Sequence, residues 1–187
     1  MILYQIFRPM AYLKIKHPSK WKFDWLLPSL LSIAMMLVLM AFKSDVNVYG
    51  TDGLISRLTH FIGILPGFFI AALAAIATFN RKDVDLHMPE PTPKIDIVIS
   101  GEPNTILLTR RRFLCMLFSF LTAQSIFLAV IGIFSISLAV PVSDFFGESS
   151  ETLGIIFLSL YVFVFSQMLV STFHGLYYLG DRLHQPD

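Results

Sequence analysis

The side chains in this chain that could do chemistry are few and far apart. A metal site needs three or four His, Cys or carboxylate groups converging on one point. His60 and His174 have no carboxylate or cysteine at ligand spacing, and His17, His87 and His184 read as surface residues. Cys115 is the single cysteine, so no internal disulfide is possible. A phosphate-cradling Gly-rich loop, an HExxH pair and a GxSxG elbow are all missing. These residues support neither an enzyme, nor a cofactor site, nor a metal site. The polar side chains that stand out are two amides, Gln124 and Gln167, each set in an apolar run. An amide in hydrocarbon needs partners, and an interhelical hydrogen bond there is worth about 1 kcal/mol or less.

The elements that carry these residues follow from charge distribution. Four apolar stretches, 26–42, 58–79, 113–140 and 153–179, contain no Asp, Glu, Lys or Arg. A bilayer core of about 30 Å takes roughly 20 apolar residues to cross as a helix. The first stretch is short, but Trp25 and the turn before it can lengthen it. Composition agrees: 55% of residues are hydrophobic and only 14% charged, with a mean hydropathy of +0.69. Soluble domains average about 45–50% apolar and about 25% charged. The fold class is an all-α integral membrane protein, with four transmembrane helices and a small cytoplasmic β-hairpin between the second and third. The chain divides into a basic arm (1–24), a first helix pair (25–79), a connector (80–112), a second pair (113–180) and a tail (181–187). Without ionisable groups the spans lack what proton relays, ion paths and voltage sensors use.

Orientation follows from the basic residues. Twelve of the fourteen Lys and Arg lie in the arm, the connector and the tail; the other two, Lys43 and Arg57, lie in the first loop. The positive-inside rule puts both termini and the connector in the cytoplasm. Trp21, Trp25, Tyr177 and Tyr178 suit an inner aromatic belt. No signal-peptide pattern precedes the first span, which is expected to be retained. Residues 1–16 read either as an amphipathic segment along the interface or as an irregular arm broken at Pro9 and Pro18.

Within the spans, Gly63, Gly67, Ala71 and Ala75 recur every four residues and share one helix face. Small residues allow close helix contact, within the chain or with a second copy. Pro66 lies beside this stripe and removes one backbone hydrogen bond. Gln124 is twelve residues after Arg112, and Gln167 eleven before Tyr178. At about 1.5 Å per residue both reach similar depth in antiparallel neighbours, which predicts that they pair. Ser119, Thr122, Ser125, Ser135, Ser137, Ser166, Ser171 and Thr172 add a polar band, which either bridges helices or bonds to its own carbonyls.

The connector begins with a Pro-rich linker and continues as KIDIVISGEPNTILLTRRR. Ile95, Ile97 and Ile99 alternate with Asp96, Val98 and Ser100, a strand pattern. Residues 101–104 have turn chemistry, and 105–109 form a second β-prone run. The result is a hairpin that feeds the third span. A lone hairpin is marginal in water, so it needs a buttress: sister subunits, a soluble partner adding a strand, or its own basic arm. Ile95, Ile97, Ile99, Thr105 and Leu107 are the candidate partner-binding residues. Arg110, Arg111, Arg112, Lys20 and Lys22 are candidates for anionic lipid headgroups. Direct nucleic-acid binding is not expected from so small a basic cluster.

Three functions fit: a homo-oligomeric membrane sensor or scaffold that controls a cytoplasmic partner, a holin-like pore lined by the polar band, and an accessory subunit of a transporter. The layout resembles the membrane subunit of the bacterial Kiwa anti-phage defence system. The resemblance lies in length, four spans, cytoplasmic termini and the structured connector KIDIVISGEPNTILLTRRR. It implies a homo-oligomeric inner-membrane sensor of phage attack that carries a soluble DNA-binding partner, KwaB. It carries over no functional residues.

Overall fold

The computed structural model describes residues 5–42, 46–50, 52–78, 80, 82–99 and 102–180. The tail 181–187, Lys43, Asp45, Arg81, Ser100 and Gly101 lie outside the described residues. Four helices are long and apolar enough to cross a membrane: α1 Lys22–Ala41, α2 Leu54–Thr78, α3 Arg110–Phe146 and α4 Ser149–Gly180. A 3-10 helix, Arg8–Lys14, precedes them. The two-stranded antiparallel sheet of β1 Lys94–Ile99 and β2 Glu102–Leu107 sits between α2 and α3.

All four helices start earlier than hydropathy alone predicts. Helix α1 opens at Lys22 with a π-helical stretch, Lys22–Leu26, before its α-helical part Leu27–Ala41. Pro28 lies six residues into this continuous helix, where its missing N–H leaves the Asp24 carbonyl without its i→i−4 donor. Helix α3 is 37 residues long, about 55 Å, well beyond the bilayer core. Thr109 caps its start, its Oγ1 accepting from the Arg112 N–H at 3.3 Å. It runs past residue 140 because Ser143 and Asp144 interrupt hydropathy but not helical backbone. Gly147, at φ 54°, ends it, and α4 begins two residues later. That backbone conformation favours glycine.

The principal contacts run α2–α3–α4–α1, and the arm's 3-10 helix lies on α3. Leu114, Leu117 and Leu121 of α3 meet Ile62 of α2, Val162 and Met168 of α4, and Tyr12 of the arm in one buried core. The tight crossings are made by glycines other than the predicted ones. A Cβ at Gly132 would come within 2.1 Å of Thr59 Oγ1 and 3.0 Å of the Tyr161 hydroxyl; one at Gly175 would come within 3.1 Å of Leu117. At Gly63 and Gly67 a Cβ would meet nothing within 4 Å.

The hairpin is real but shifted. Its register pairs Ile95 with Ile106 and Val98 with Pro103. β2 therefore starts at Glu102, and the residues predicted as turn, Glu102 to Asn104, are strand. Proline is tolerated in such a pair because alternate residues point their N–H away from the partner strand. Thr109 is not in β2; it bridges His87 and caps α3. The buttress is the chain's own arm: Lys16 bridges Lys94 antiparallel, with N···O distances of 2.8 and 3.0 Å.

Candidate functional site

Pro18 and Ser19 turn the arm into α1. The Ser19 N–H donates to His17 Nδ1 at 3.2 Å, and the Lys20 N–H to the His17 carbonyl at 3.2 Å. Helical backbone from Lys20 then sets Lys20 and Asp24 one turn apart on one face. They form an ion pair inside the protein, with side chains only 9% and 4% exposed. The Lys20 ammonium also sits 4.0 Å from the centroid of the Tyr12 ring, a cation–π contact strengthened by desolvation. Burial lowers the Lys20 pKa, against the opposing pull of Asp24. Burial raises that of the Tyr12 hydroxyl, with the Asp24 charge adding to it.

A polar ladder continues from this pair across the bundle. The Asp24 carbonyl, within the π-helical stretch, accepts from Gln167 Nε2 at 2.9 Å. Gln167 Oε1 accepts from Gln124 Nε2 at 2.9 Å, and that nitrogen also reaches the Val164 carbonyl at 3.1 Å. π-helical turns change which carbonyls the helix uses, and they recur at functional sites. The ladder thus ties the start of α1 to α4 and α3, and the two amides meet as their depths predict.

His174, seven residues along α4, packs on Phe23 edge-on (4.4 Å between centroids) and stacks with Tyr178 (5.2 Å, 11°). Its Nδ1 is buried without a hydrogen-bond partner. Beside it, between the arm, the start of α1 and the arm-side end of α4, lies a cavity of about 490 Å³. A larger apolar cavity of about 1110 Å³ lies at the opposite end, among α1, α3 and α4.

The remaining predicted residues divide. Gly63, Gly67 and Ala71 face outward and Ala75 is half-buried, so the Gly63–Ala71 part of the stripe is left uncovered by the described residues. Ile95 is buried, Ile97 packs partly on the core, and Thr105 and Leu107 are exposed. The Ile99 side chain lies outside the described residues. The assignment to lipid headgroups is corrected for two cations, Arg110 and Arg111; Lys20 leaves the exposed surface but lines the cavity beside His174. Lys20 is buried on Asp24 and Tyr12. Arg110 is 4% exposed. Arg111 holds Asp85 at 2.7 and 3.0 Å and donates to the Ile76 carbonyl at 2.7 Å, capping the end of α2. Lys22 is exposed and Arg112 half-buried. Arg111 is satisfied by a protein carboxylate and a free helix-end carbonyl rather than by lipid.

One further expectation changes. The first helix does contain an ionisable group, Asp24, because it starts before its apolar run. The polar band faces inward or bonds backward: Gln124, Ser125, Ser166, Gln167 and Ser171 are buried, and Thr122, Ser135, Ser137 and Thr172 donate to carbonyls of their own helices. Sequence reasoning passed over Tyr12 and Asp24. The Lys20-to-Asp24 spacing is the available signal, hidden by assigning residues 1–24 to a basic arm outside the helices.

Among the described residues, no group of three or more His, Cys, Asp or Glu is placed to hold a metal ion. The chain matches no protein-family model, no curated protein and no solved structure.

Proposed function

We infer that this is a multi-pass inner-membrane sensor and scaffold, with both termini and the hairpin cytoplasmic, which recruits or controls a cytoplasmic protein. The observation that supports this reading best is the continuity of the arm. Lys16 pairs with the hairpin through its backbone and through its ammonium to Asp96 at 2.6 Å. Four residues later, Lys20 enters the buried pair that leads to Gln167 and Gln124. A shift of α1 against α3 and α4 therefore pulls on the same short segment that positions the hairpin.

The hairpin's outward face, with Lys94, Asp96, Thr105 and Leu107, is the docking surface in this reading. Twelve basic residues of fourteen on one side support its cytoplasmic placement. The outward stripe of Gly63, Gly67 and Ala71 leaves backbone open to a second copy, which supports homo-oligomerisation. Resemblance to the Kiwa membrane subunit adds phage attack as the stimulus and a DNA-binding protein as the partner. The inward-facing polar band supports the scaffold over a water-lined pore.

The test is co-expression with the product of the adjacent gene, followed by purification in mild detergent. A soluble partner that copurifies with the intact chain, and is lost with a Thr105→Lys, Leu107→Asp double variant, is the expected result. Failure to retain any partner, together with ion flux in liposomes, overturns the reading in favour of a pore.

A further inference from the structure

We propose that the cavity beside His174 is a binding site for one anionic membrane lipid, held by its phosphate. The cavity has two chemically distinct sides. On one, Lys20, His17, Ser19 and His174 bring together N–H and O–H groups. His17 Nδ1 is occupied as an acceptor from the Ser19 N–H, so the proton of its neutral ring is on Nε2. The buried Nδ1 of His174 has no partner, which costs least when that nitrogen is the bare acceptor; its Nε2 then carries the proton. Among the described residues His174 Nε2 has no hydrogen-bond partner, and His174 lines the cavity. Among the described residues no Asp or Glu lines this space; Asp24 lies behind Lys20. A donor-rich wall without a carboxylate selects an anion.

The other side is apolar and open. Leu27 and Phe173 line the cavity and are 41% and 68% exposed on the bundle's outer surface. In a bilayer that surface faces acyl chains. The cavity sits at the helix ends where the arm, Trp21, Trp25 and Tyr177 gather, the depth of a headgroup layer. Phosphate at the donors and chains past Leu27 and Phe173 describe a phospholipid rather than a free ion. Lys20 then sits between two anions, Asp24 and the lipid phosphate, in the segment that leads to the hairpin. The site requires the helices to be in a bilayer but is independent of partner capture, so either result leaves the scaffold test standing.

Native mass spectrometry of the full chain, released from mild detergent with added lipid, tests the proposal. Phosphatidylglycerol should remain bound at one per chain, at least about tenfold tighter than phosphatidylcholine. His174→Phe and His17→Phe should each weaken it severalfold in protein whose circular dichroism spectrum is unchanged. Equal retention of the two lipids overturns the proposal. So does retention unaffected by both variants in folded protein. If inorganic phosphate at millimolar concentration displaces phosphatidylglycerol and protects the chain against melting equally well, the site is a free-anion site and the lipid assignment fails.

Discussion

Lys20 and Asp24 form an ion pair within one turn of helix, both buried, at the point where the arm becomes α1. Removing either partner strands a charge in a low-dielectric site, which costs about 3–5 kcal/mol. Removing both leaves no stranded charge. Lys20→Met and Asp24→Asn should each lower the melting temperature of the purified chain markedly, and the double variant should recover most of the loss. Additive losses in the three-variant cycle would show that the two groups are energetically separate.

The amides give a second cycle. Gln167→Leu removes the hydrogen bond from Gln124 and the one to the Asp24 carbonyl. Gln124→Leu removes the bonds to Gln167 and to Val164. Each should cost about 0.5–2 kcal/mol, with a coupling energy near 0.6 kcal/mol. Unfolding in mixed detergent micelles measures it. Unchanged stability in both single variants would remove the ladder from any account of the bundle.

The arm's link to the hairpin has a pH dependence of known sign. Lys16, with Thr105 second, holds the Asp96 carboxyl below its ordinary value of 3.8. A lowered folded pKa contributes stability that is complete above the unfolded value and disappears as pH falls through the folded one. The arm should therefore hold the hairpin equally well at about pH 7 and pH 5, and loosen below about pH 4. Hydrogen exchange at the Lys16 and Lys94 amides, corrected for intrinsic rates, reads this directly. Lys16→Met should be looser at neutral pH and lose the acid dependence.

Much of this architecture was legible because hydropathy is a long-range property of the chain: four runs free of charge allow few alternatives. Alternation at Ile95, Ile97 and Ile99 located β1, and depth counting matched Gln124 to Gln167. What escaped has physical reasons. Helix ends are set by caps and turns, so α3 runs on to Gly147 while its apolar run stops at residue 140. Arg111 reads as lipid-facing in the sequence because its carboxylate and carbonyl, Asp85 and Ile76, become neighbours only through folding, whereas Asp24 is one turn from Lys20 in the chain itself. A spacing of four small residues specifies a face, not what that face meets, and the close approaches went to Gly132 and Gly175.

The two kinds of glycine therefore make opposite predictions. A Cβ at Gly132 collides with Thr59 and the Tyr161 hydroxyl, where α2, α3 and α4 converge. Gly132→Val should destabilise the single chain by about 1–3 kcal/mol through overpacking, seen as a lower melting temperature at any protein concentration. A Cβ at Gly63 or Gly67 meets open space in the single chain. Replacing glycine inside a helix even favours the helical state, by about 0.5–1 kcal/mol for alanine. Gly63→Leu with Gly67→Leu should therefore leave the folded chain intact and dissociate an oligomer whose contact uses that stripe. Light scattering of the detergent complex, corrected for bound detergent, reports the mass. A complex of unchanged mass would put the subunit contact on another face, and a destabilised one would mean that α2 packs differently within its own bundle.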